Sequence, residues 1–411
     1  MKIIHTSDWH LGRSLYGQKR YAEYESFLNW LVNLIRKEHI EILLISGDIF
    51  DTNTPSNQAQ KLYYQFLHHL PRYCQTVIIA GNHDSPTFLN APKELLKYLN
   101  IFVIGQITDN SQDEVLLLQD EKKNPQAIIC AVPYLRDKDI RILESGESIQ
   151  DKNQHLLNGI KKHYQEVSEY AFNLQQTIQQ DLSIKVPIIA MGHLFTDGAK
   201  TIDGDGVRDL YVGSLSHIKS DIFPEYLDYV ALGHLHIPQT VARQSHIRYS
   251  GSPIAIGFGE CTQNKQVILL DFSLSPFNIS SIKVPVFQEL VYIQGNVYDI
   301  LQNIESLKIN HSQAWLEIVY TGQEREPRLR EKIEEAILGS ELKVLRIKNN
   351  LTYNQVMNTL EQQENLQDLT PLDVFKRSLT ANKTPENQHP LLISAYQEIL
   401  QNLHDQDINA K

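Results

Sequence analysis

Along about the first 270 residues, short unbroken apolar runs alternate with longer stretches whose apolar positions recur every three or four residues, the pattern of strands and helices in alternation. The runs KIIHT (2–6), EILLIS (41–46), TVIIA (76–80), PIIAM (187–191) and LDYVAL (227–232) read as strands. Between the first two, Tyr21, Tyr24, Phe27, Leu28, Leu31, Leu34 and Ile35 share one face of a helix, and a second helix is predicted over 57–70, stopped by Pro71. The fold class that follows is α/β: a layered fold with a central mixed β-sheet sandwich flanked by helices.

Further along, EVLLLQ and AIICAVP flank a turn rich in Lys, Asp and Asn, which predicts a strand hairpin within about 100–130. From 150 to 180, Leu157, Ile160, Tyr164, Val167, Ala171, Leu174 and Ile178 step by alternating threes and fours, an amphipathic helix expected to pack on the sheet. After about 280 the order becomes strand (VFQELVYI), helix (VYDILQNIESL), strand (AWLEIVYT), helix (RLREKIEEAIL), strand (LKVLRI), a small α+β domain. From about 350 the chain is rich in Gln, Asn and Glu and ends in two helical stretches, LTPLDVFKRSL and PLLISAYQEILQNL. The second carries Leu391, Leu392, Ala395, Ile399 and Leu403 on one side, a stripe that either folds back on the core or docks on another protein. Three regions result: 1–275, 280–350 and 351–411.

With 42% hydrophobic and 21% charged residues in 411, the chain can bury a large core and is not a disordered one. Asp8 interrupts the apolar start MKIIHTSDWH, so no signal-peptide core is expected, and nowhere does the sequence approach the roughly 20 apolar residues of a membrane span. Cys74, Cys130 and Cys261 are odd in number and lack CxxC spacing, which argues against a disulfide framework or a zinc knot and places the expected setting in a reducing cytoplasm. A net charge of −11 is unfavourable for a protein that must hold a polyanion by itself. Bound divalent cations, or a partner with a basic surface, would offset it.

The chemistry sits where the strands end. The first runs into Asp8 and His10, the second into Asp48, the third into Asn82, His83 and Asp84, the fourth into His193, the fifth into His234 and His236. Ligands of α/β sheets bind beyond the carboxyl ends of strands, so these residues converge if the strands are neighbours in one sheet. Imidazole, carboxylate and amide oxygen without thiolate suit manganese, iron or zinc over calcium. Asp8, His10, Asp48, Asn82, His193, His234 and His236 are too many for one ion; shared between two ions about 3.5 to 4 Å apart, they form the arrangement that hydrolyses phosphate esters. Glycines before Asp48, Asn82, His193 and His234 are consistent with tight turns that aim these side chains. A lone Gly-His or Gly-Asp means little; five coincidences at five strand ends are specific. His83, beside Asn82 but aimed elsewhere, is the candidate for protonating the leaving alkoxide, with Asp84 placed to orient its ring; its structural alternative is a residue that supports the ligands.

In this order the motifs D-x-H, G-D, G-N-H-D, G-H and G-H-x-H resemble the calcineurin-like metallophosphoesterases. The longer strings HTSDWHLG, GDIFDTNTPS, GNHDSP, GHLF, RDLYVG (208–213), DYVALGHLHIPQ, YSGSPI (249–254) and LTPLDVF resemble the D subunits of bacterial SbcCD nucleases over nearly the whole chain. The resemblance implies one manganese on Asp8, His10, Asp48 and His236 and a second on Asp48, Asn82, His193 and His234, with Asp48 bridging and His83 assisting. It also implies that 280–350 is a capping domain that positions DNA. The terminal helices would grip an SbcC-type coiled-coil ATPase, and the chain would act as a homodimer within a heterotetramer. Two departures stand out: Asp51 occupies a position where some relatives carry histidine, and GFGE (257–260) replaces an expected SFDE.

Three functions compete. The first is a DNA nuclease subunit in repair and recombination, an exonuclease with its ATPase and an endonuclease on single strands and hairpins. The second is a phosphatase or small phosphodiesterase, disfavoured because GDIFDTN lacks the arginine of the GDxVDRG phosphatase motif. The third is a metal-binding scaffold with a vestigial site, disfavoured because every ligand is intact.

Overall fold

The computed structural model describes residues 1–140, 149–196, 218–322, 326–349, 372, 375–376, 379–380 and 384–405. The RDLYVG string and most of LTPLDVF lie outside the described residues.

Two six-stranded mixed sheets form the centre. One runs in the order Asn278–Lys283, Gln266–Asp271, Lys2–Thr6, Ile42–Ser46, Gln75–Ile79, Ile101–Ile104, with the last four strands parallel. The other runs Gln239–Val241, Gln244–Tyr249, Tyr229–Gly233, Ile188–His193, Pro125–Ala131, Val115–Gln119, its middle four parallel. Strand side chains alternate between faces, so one run serves two cores. Ile3, Ile42, Leu44, Val77 and Ile79 meet Ile129, Ile189, Met191, Tyr229 and Ala231 between the sheets. Their neighbours Ile4, Leu43, Ile45 and Ile78 point the other way, onto the helices Tyr21–Glu38 and Asn57–His69. On the far side Ile128, Cys130, Ile188, Ala190, Val230 and Leu232 meet the helix Ile149–Leu182 through Ile160, Tyr164, Val167 and Ala171. This double burial is why the central strands read as continuous apolar runs.

The expected sandwich is therefore present, but the five site-bearing strands are not neighbours in one sheet. Lys2–Thr6, Ile42–Ser46 and Gln75–Ile79 belong to the first sheet, Ile188–His193 and Tyr229–Gly233 to the second. Ser46 joins the layers at the carboxyl end: its hydroxyl donates to the Ala231 carbonyl at 3.0 Å. The hairpin expected within 100–130 is Val115–Gln119 against Pro125–Ala131, whereas Ile101–Ile104 pairs into the other sheet.

Beyond the sandwich, Leu290–Gly295, Trp315–Tyr320 and Lys343–Asn349 form a parallel sheet with the helices Val297–Ile309 and Leu329–Ile337 packed on it. This βαβαβ unit reaches the sandwich through Leu290, Trp315 and Leu345, which pack around Leu15 and Phe258. Arg346 adds a hydrogen bond to the Tyr16 hydroxyl at 2.7 Å. The terminal helix His389–Asp405 stacks Tyr396 on Phe375 at 4.0 Å, while Leu391 and Ile399 stay 61% and 55% exposed.

Candidate metal centre

All the strand-end residues meet at one edge of the sandwich. Asp8, His10, Asp48, His83, His193, His234 and His236 are buried, and Asn82 is half-buried at the rim. Asp8, His10, Asp48 and His234 have φ of 54°, 50°, 51° and 102°, backbone conformations that cost non-glycine residues of order 1–3 kcal/mol each. Such strain persists only where the surroundings hold it. Here Asp8 donates its amide to the Gly47 carbonyl and His10 to the Asp48 carbonyl, both at 3.0 Å. Carboxylate oxygens tie the remaining loops: Asp8 Oδ1 accepts the His234 amide and Asp48 Oδ1 the His83 amide, each at 2.9 Å.

The glycines have another role than tight turns in three of four cases. Only Gly47 has a positive φ, 86°. A Cβ at Gly233 would strike the Ser46 carbonyl oxygen, and one at Gly81 would strike Asp48. Gly233 is bare because main chain of the first sheet presses on the second there, and Gly81 because the loops after two neighbouring strands of the first sheet press on each other.

Two donor groupings overlap at Asp8. Asp8, His10 and His236 place one donor atom each mutually within 4.8 Å, as do Asp8, Asp48 and His193. The Nε2 atoms of His10 and His236 face each other at 3.1 Å, and His10 Nε2 is 3.6 Å from Asp48 Oδ2. On the other side His193 Nε2 is 3.4 Å from Asp48 Oδ2 and 3.1 Å from Asn82 Oδ1. His234 belongs to neither grouping, but its buried Nε2 has no hydrogen-bond partner and its ring centroid is 5.4 Å from that of His193. His83 forms a third grouping with His10 and Asp48.

The electrostatics call for a cation. Among the described residues no Lys or Arg lies within ion-pair distance of the buried Asp8 or Asp48. Burial pushes the Asp8 carboxyl up, opposed by His193 and His236. Burial also works against Asp48, but His193 and His83 hold it well below the usual carboxylate range. His193 shows the reciprocal effect: burial opposes its charge, yet Asp48 lifts it to about 9. Burial lowers His10 to about 3, keeping it neutral, as a ligand must be. An orphaned imidazole nitrogen, two buried carboxylates without a Lys or Arg partner and an all nitrogen-and-oxygen donor set fit divalent metal.

The outward nitrogens are held too, which fixes ring tautomer and aim. His193 Nδ1 donates to the Ser46 carbonyl at 2.9 Å, so in the neutral ring, the form that binds metal, Nε2 carries the lone pair. His10 Nδ1 is 3.4 Å from Asp51 Oδ1, and His236 Nδ1 is 3.3 Å from Glu260 Oε1. Two positions left without a role in the sequence, Asp51 and the GFGE loop, thus lie behind the histidines. No local motif announces Glu260, which reaches His236 only because the strand Gln244–Tyr249 brings the chain back.

The orienting role expected of Asp84 is not what the structure shows. Its carboxylate accepts the backbone amides of Ile49, Phe50 and Gly81 at 3.1, 2.9 and 2.8 Å, binding the Asp48 loop to the Asn82 loop. Burial and the nearby Asp48 push its carboxyl up to about 7 against those three donors. His83 is instead aimed by main chain: its Nδ1 donates to the Asp51 carbonyl at 2.8 Å.

Residues 1–238 match the family described as calcineurin-like phosphoesterase, more than half of the chain, and residues 286–383 match one described as type 5 capsule protein repressor C-terminal domain. The chain belongs to the calcineurin-like metallophosphoesterases and is a metal-dependent phosphodiesterase. The D subunit of the SbcCD nuclease of Escherichia coli (strain K12) is 34% identical over 396 residues, covering 95% of this chain and 96% of that one. The same-named proteins of Rhodobacter capsulatus and Bacillus subtilis are each 32% identical, over 66% of this chain and 67% and 66% of theirs. Within its class, then, the chain is a member of the SbcD family of nucleases. A solved dimetal phosphatase from Danio rerio covers 69% of this chain and 98% of its own at 10% identity, with a TM-score of 0.35, a remote likeness. No described helix is long and apolar enough to cross a membrane.

Proposed function

We propose that the chain is the nuclease subunit of a DNA repair and recombination complex, cleaving phosphodiester bonds with two divalent ions, manganese by preference. Asp8, His10, Asp48 and His236 would hold one ion, and Asp48, Asn82, His193 and His234 the other. The observation behind this is the convergence of carboxylate, imidazole and amide donors from both sheets around Asp48 Oδ2. Ions so held supply Lewis acidity, drawing charge from the phosphate and lowering the pKa of water.

The chain's own groups account for the rest. Asp8 and Asp48 anchor the loops that present the histidines, so donor positions are set before substrate arrives. His83 donates a hydrogen bond from Nδ1 to the Asp51 carbonyl and turns Nε2 into the site, 4.0 Å from Asp48 Oδ2, where the ring protonated on both nitrogens can pass its Nε2 proton to the leaving alkoxide. The His83→Ala variant should therefore lower kcat on linear DNA by about 10²- to 10⁴-fold, the usual weight of general acid–base catalysis. Its manganese affinity, read by isothermal titration, should change only a few-fold; a large loss would make His83 a ligand.

In this scheme residues 1–275 are the nuclease domain, 280–350 the capping domain and 351–411 a linker with partner-binding helices. The occupant proposed for the terminal helix is a coiled-coil ATPase whose basic surface offsets the charge of −11 and directs double-strand exonuclease action. The exposed Leu391, Ala395 and Ile399 support docking over folding back; the Leu403 side chain lies outside the described residues. Deleting 365–411 should abolish co-purification with the co-expressed ATPase while leaving manganese-dependent cleavage of single strands. Persistence of the complex would place the contact elsewhere.

A further inference from the structure

Glu260, which lies behind His236, belongs to a buried ion pair with Lys265. Glu260 and Lys265 are 0% and 8% exposed, and Lys265 Nζ donates to Glu260 Oε2 at 2.5 Å. Burying a carboxylate and an ammonium together carries a desolvation cost that their attraction need not repay, so the pair is not explained by stability alone. Its contacts converge on one residue. Glu260 Oε1 lies 3.3 Å from His236 Nδ1. Lys265 Nζ donates to the His236 carbonyl at 3.2 Å and to Ser252 Oγ at 2.9 Å, while the Ser252 amide donates to that same carbonyl at 3.1 Å. Glu260 Oε2 is locked in turn by the Ile256 amide at 2.9 Å.

We infer that Glu260 is a positioning residue for one metal of the pair, with Lys265 holding it in place: together they grip the ring and main chain of His236 and aim Nε2 at the ion. This takes His236 to be a ligand, as proposed above. A carboxylate facing Nδ1 keeps the proton on that nitrogen, leaves the lone pair on Nε2 and raises the basicity of the ring. The effect is local to one ion. His193, on the other ion, is held instead by the Ser46 carbonyl.

Titration of the full-length metal-free protein with manganese, followed calorimetrically and by electron paramagnetic resonance, separates the possibilities. Glu260→Gln, which keeps the shape and removes the charge, should weaken one of two ions by about 10- to 100-fold, the usual cost of losing such a partner, and leave the other within about threefold. In the same titration His236→Ala should lose that same ion, and combining the two changes should add no further loss. Rescue in Glu260→Asp would be partial, because the shorter side chain retains the charge at greater distance. Unchanged affinities for both ions in Glu260→Gln, alongside loss of one ion in His236→Ala, would overturn the positioning role and leave the metal site standing. Two ions bound normally in His236→Ala would instead overturn the ligand assignment itself. Should Glu260→Gln unfold because Lys265 is left uncompensated, the paired Glu260→Gln, Lys265→Gln variant is titrated in its place and judged by the same outcomes.

Discussion

Replacing Asp48 by Asn should reduce manganese-dependent cleavage of linear DNA by about 10³-fold or more. The figure follows from losing several kcal/mol of transition-state charge stabilisation at about 1.36 kcal/mol per tenfold. No other side chain faces so much of the site: Oδ1 secures the His83 amide, and Oδ2 looks toward His10, His193 and His83 from 3.6, 3.4 and 4.0 Å. An amide can reproduce the hydrogen bond but not the charge between two ions. The metal-free variant should be less stable than the parent, because the contact of Asp48 with His193 is lost, but it should stay folded, because His193 without that carboxylate can remain neutral. Circular dichroism with single-turnover kinetics checks both halves; an active Asp48→Asn protein would remove the carboxylate from the centre of the mechanism.

Gly233→Ala is expected to be the most damaging small substitution in the sandwich. The added methyl would meet the Ser46 carbonyl oxygen and the His193 ring, where main chain from the first sheet presses on the second. Overpacking commonly costs about 1–3 kcal/mol when side chains can shift, and main chain in a central strand cannot, so a loss of about 3 kcal/mol or more is expected in urea unfolding. Because His193 Nδ1 donates to that same carbonyl, any relief of the clash also turns a metal-facing ring. Stability and metal affinity should fall together. A variant of native stability would mean that the sheets can separate locally, contrary to the packing seen.

Much of this centre is legible in the sequence because strand ends announce themselves. KIIHT, EILLIS and TVIIA are each followed within a few residues by an abrupt change to Asp, His and Asn. What the run of letters does not show is the partition into two sheets. A strand buried on both faces looks the same whether its neighbour lies beside it or across a core, so a single sheet and a sandwich edge predict the same convergence. The periodicity does not single out the strands Gln244–Tyr249, Gln266–Asp271 and Asn278–Lys283, and two of them extend the first sheet antiparallel beside Lys2–Thr6. Adjacency alone pairs Asp84 with His83, whereas its carboxylate turns toward three amides of other loops. The role of Glu260, in a loop noted only as a departure, is hidden for the opposite reason: it is 24 positions after His236 in the chain and beside it in space. Hydrophobic period reports where elements run; which side chain stands behind which ligand depends on loop paths that no period encodes.

The helices follow the same logic. The stripe from Leu157 to Ile178 packs on the second sheet as its spacing implies, and Pro71 follows a helix that closes at Leu70. Spacing alone leaves the terminal stripe open between folding back and docking; the exposure of Leu391 and Ile399 favours a partner.

The central claim is that the donors around Asp48 hold two metals at once. Anomalous diffraction from crystals of the full chain grown with manganese tests it most directly. Two peaks about 3.5 to 4 Å apart on either side of Asp48 Oδ2 are predicted, one bounded by His10 and His236 and the other by His193 and Asn82. A single peak, or manganese bound away from Asp48, would contradict it.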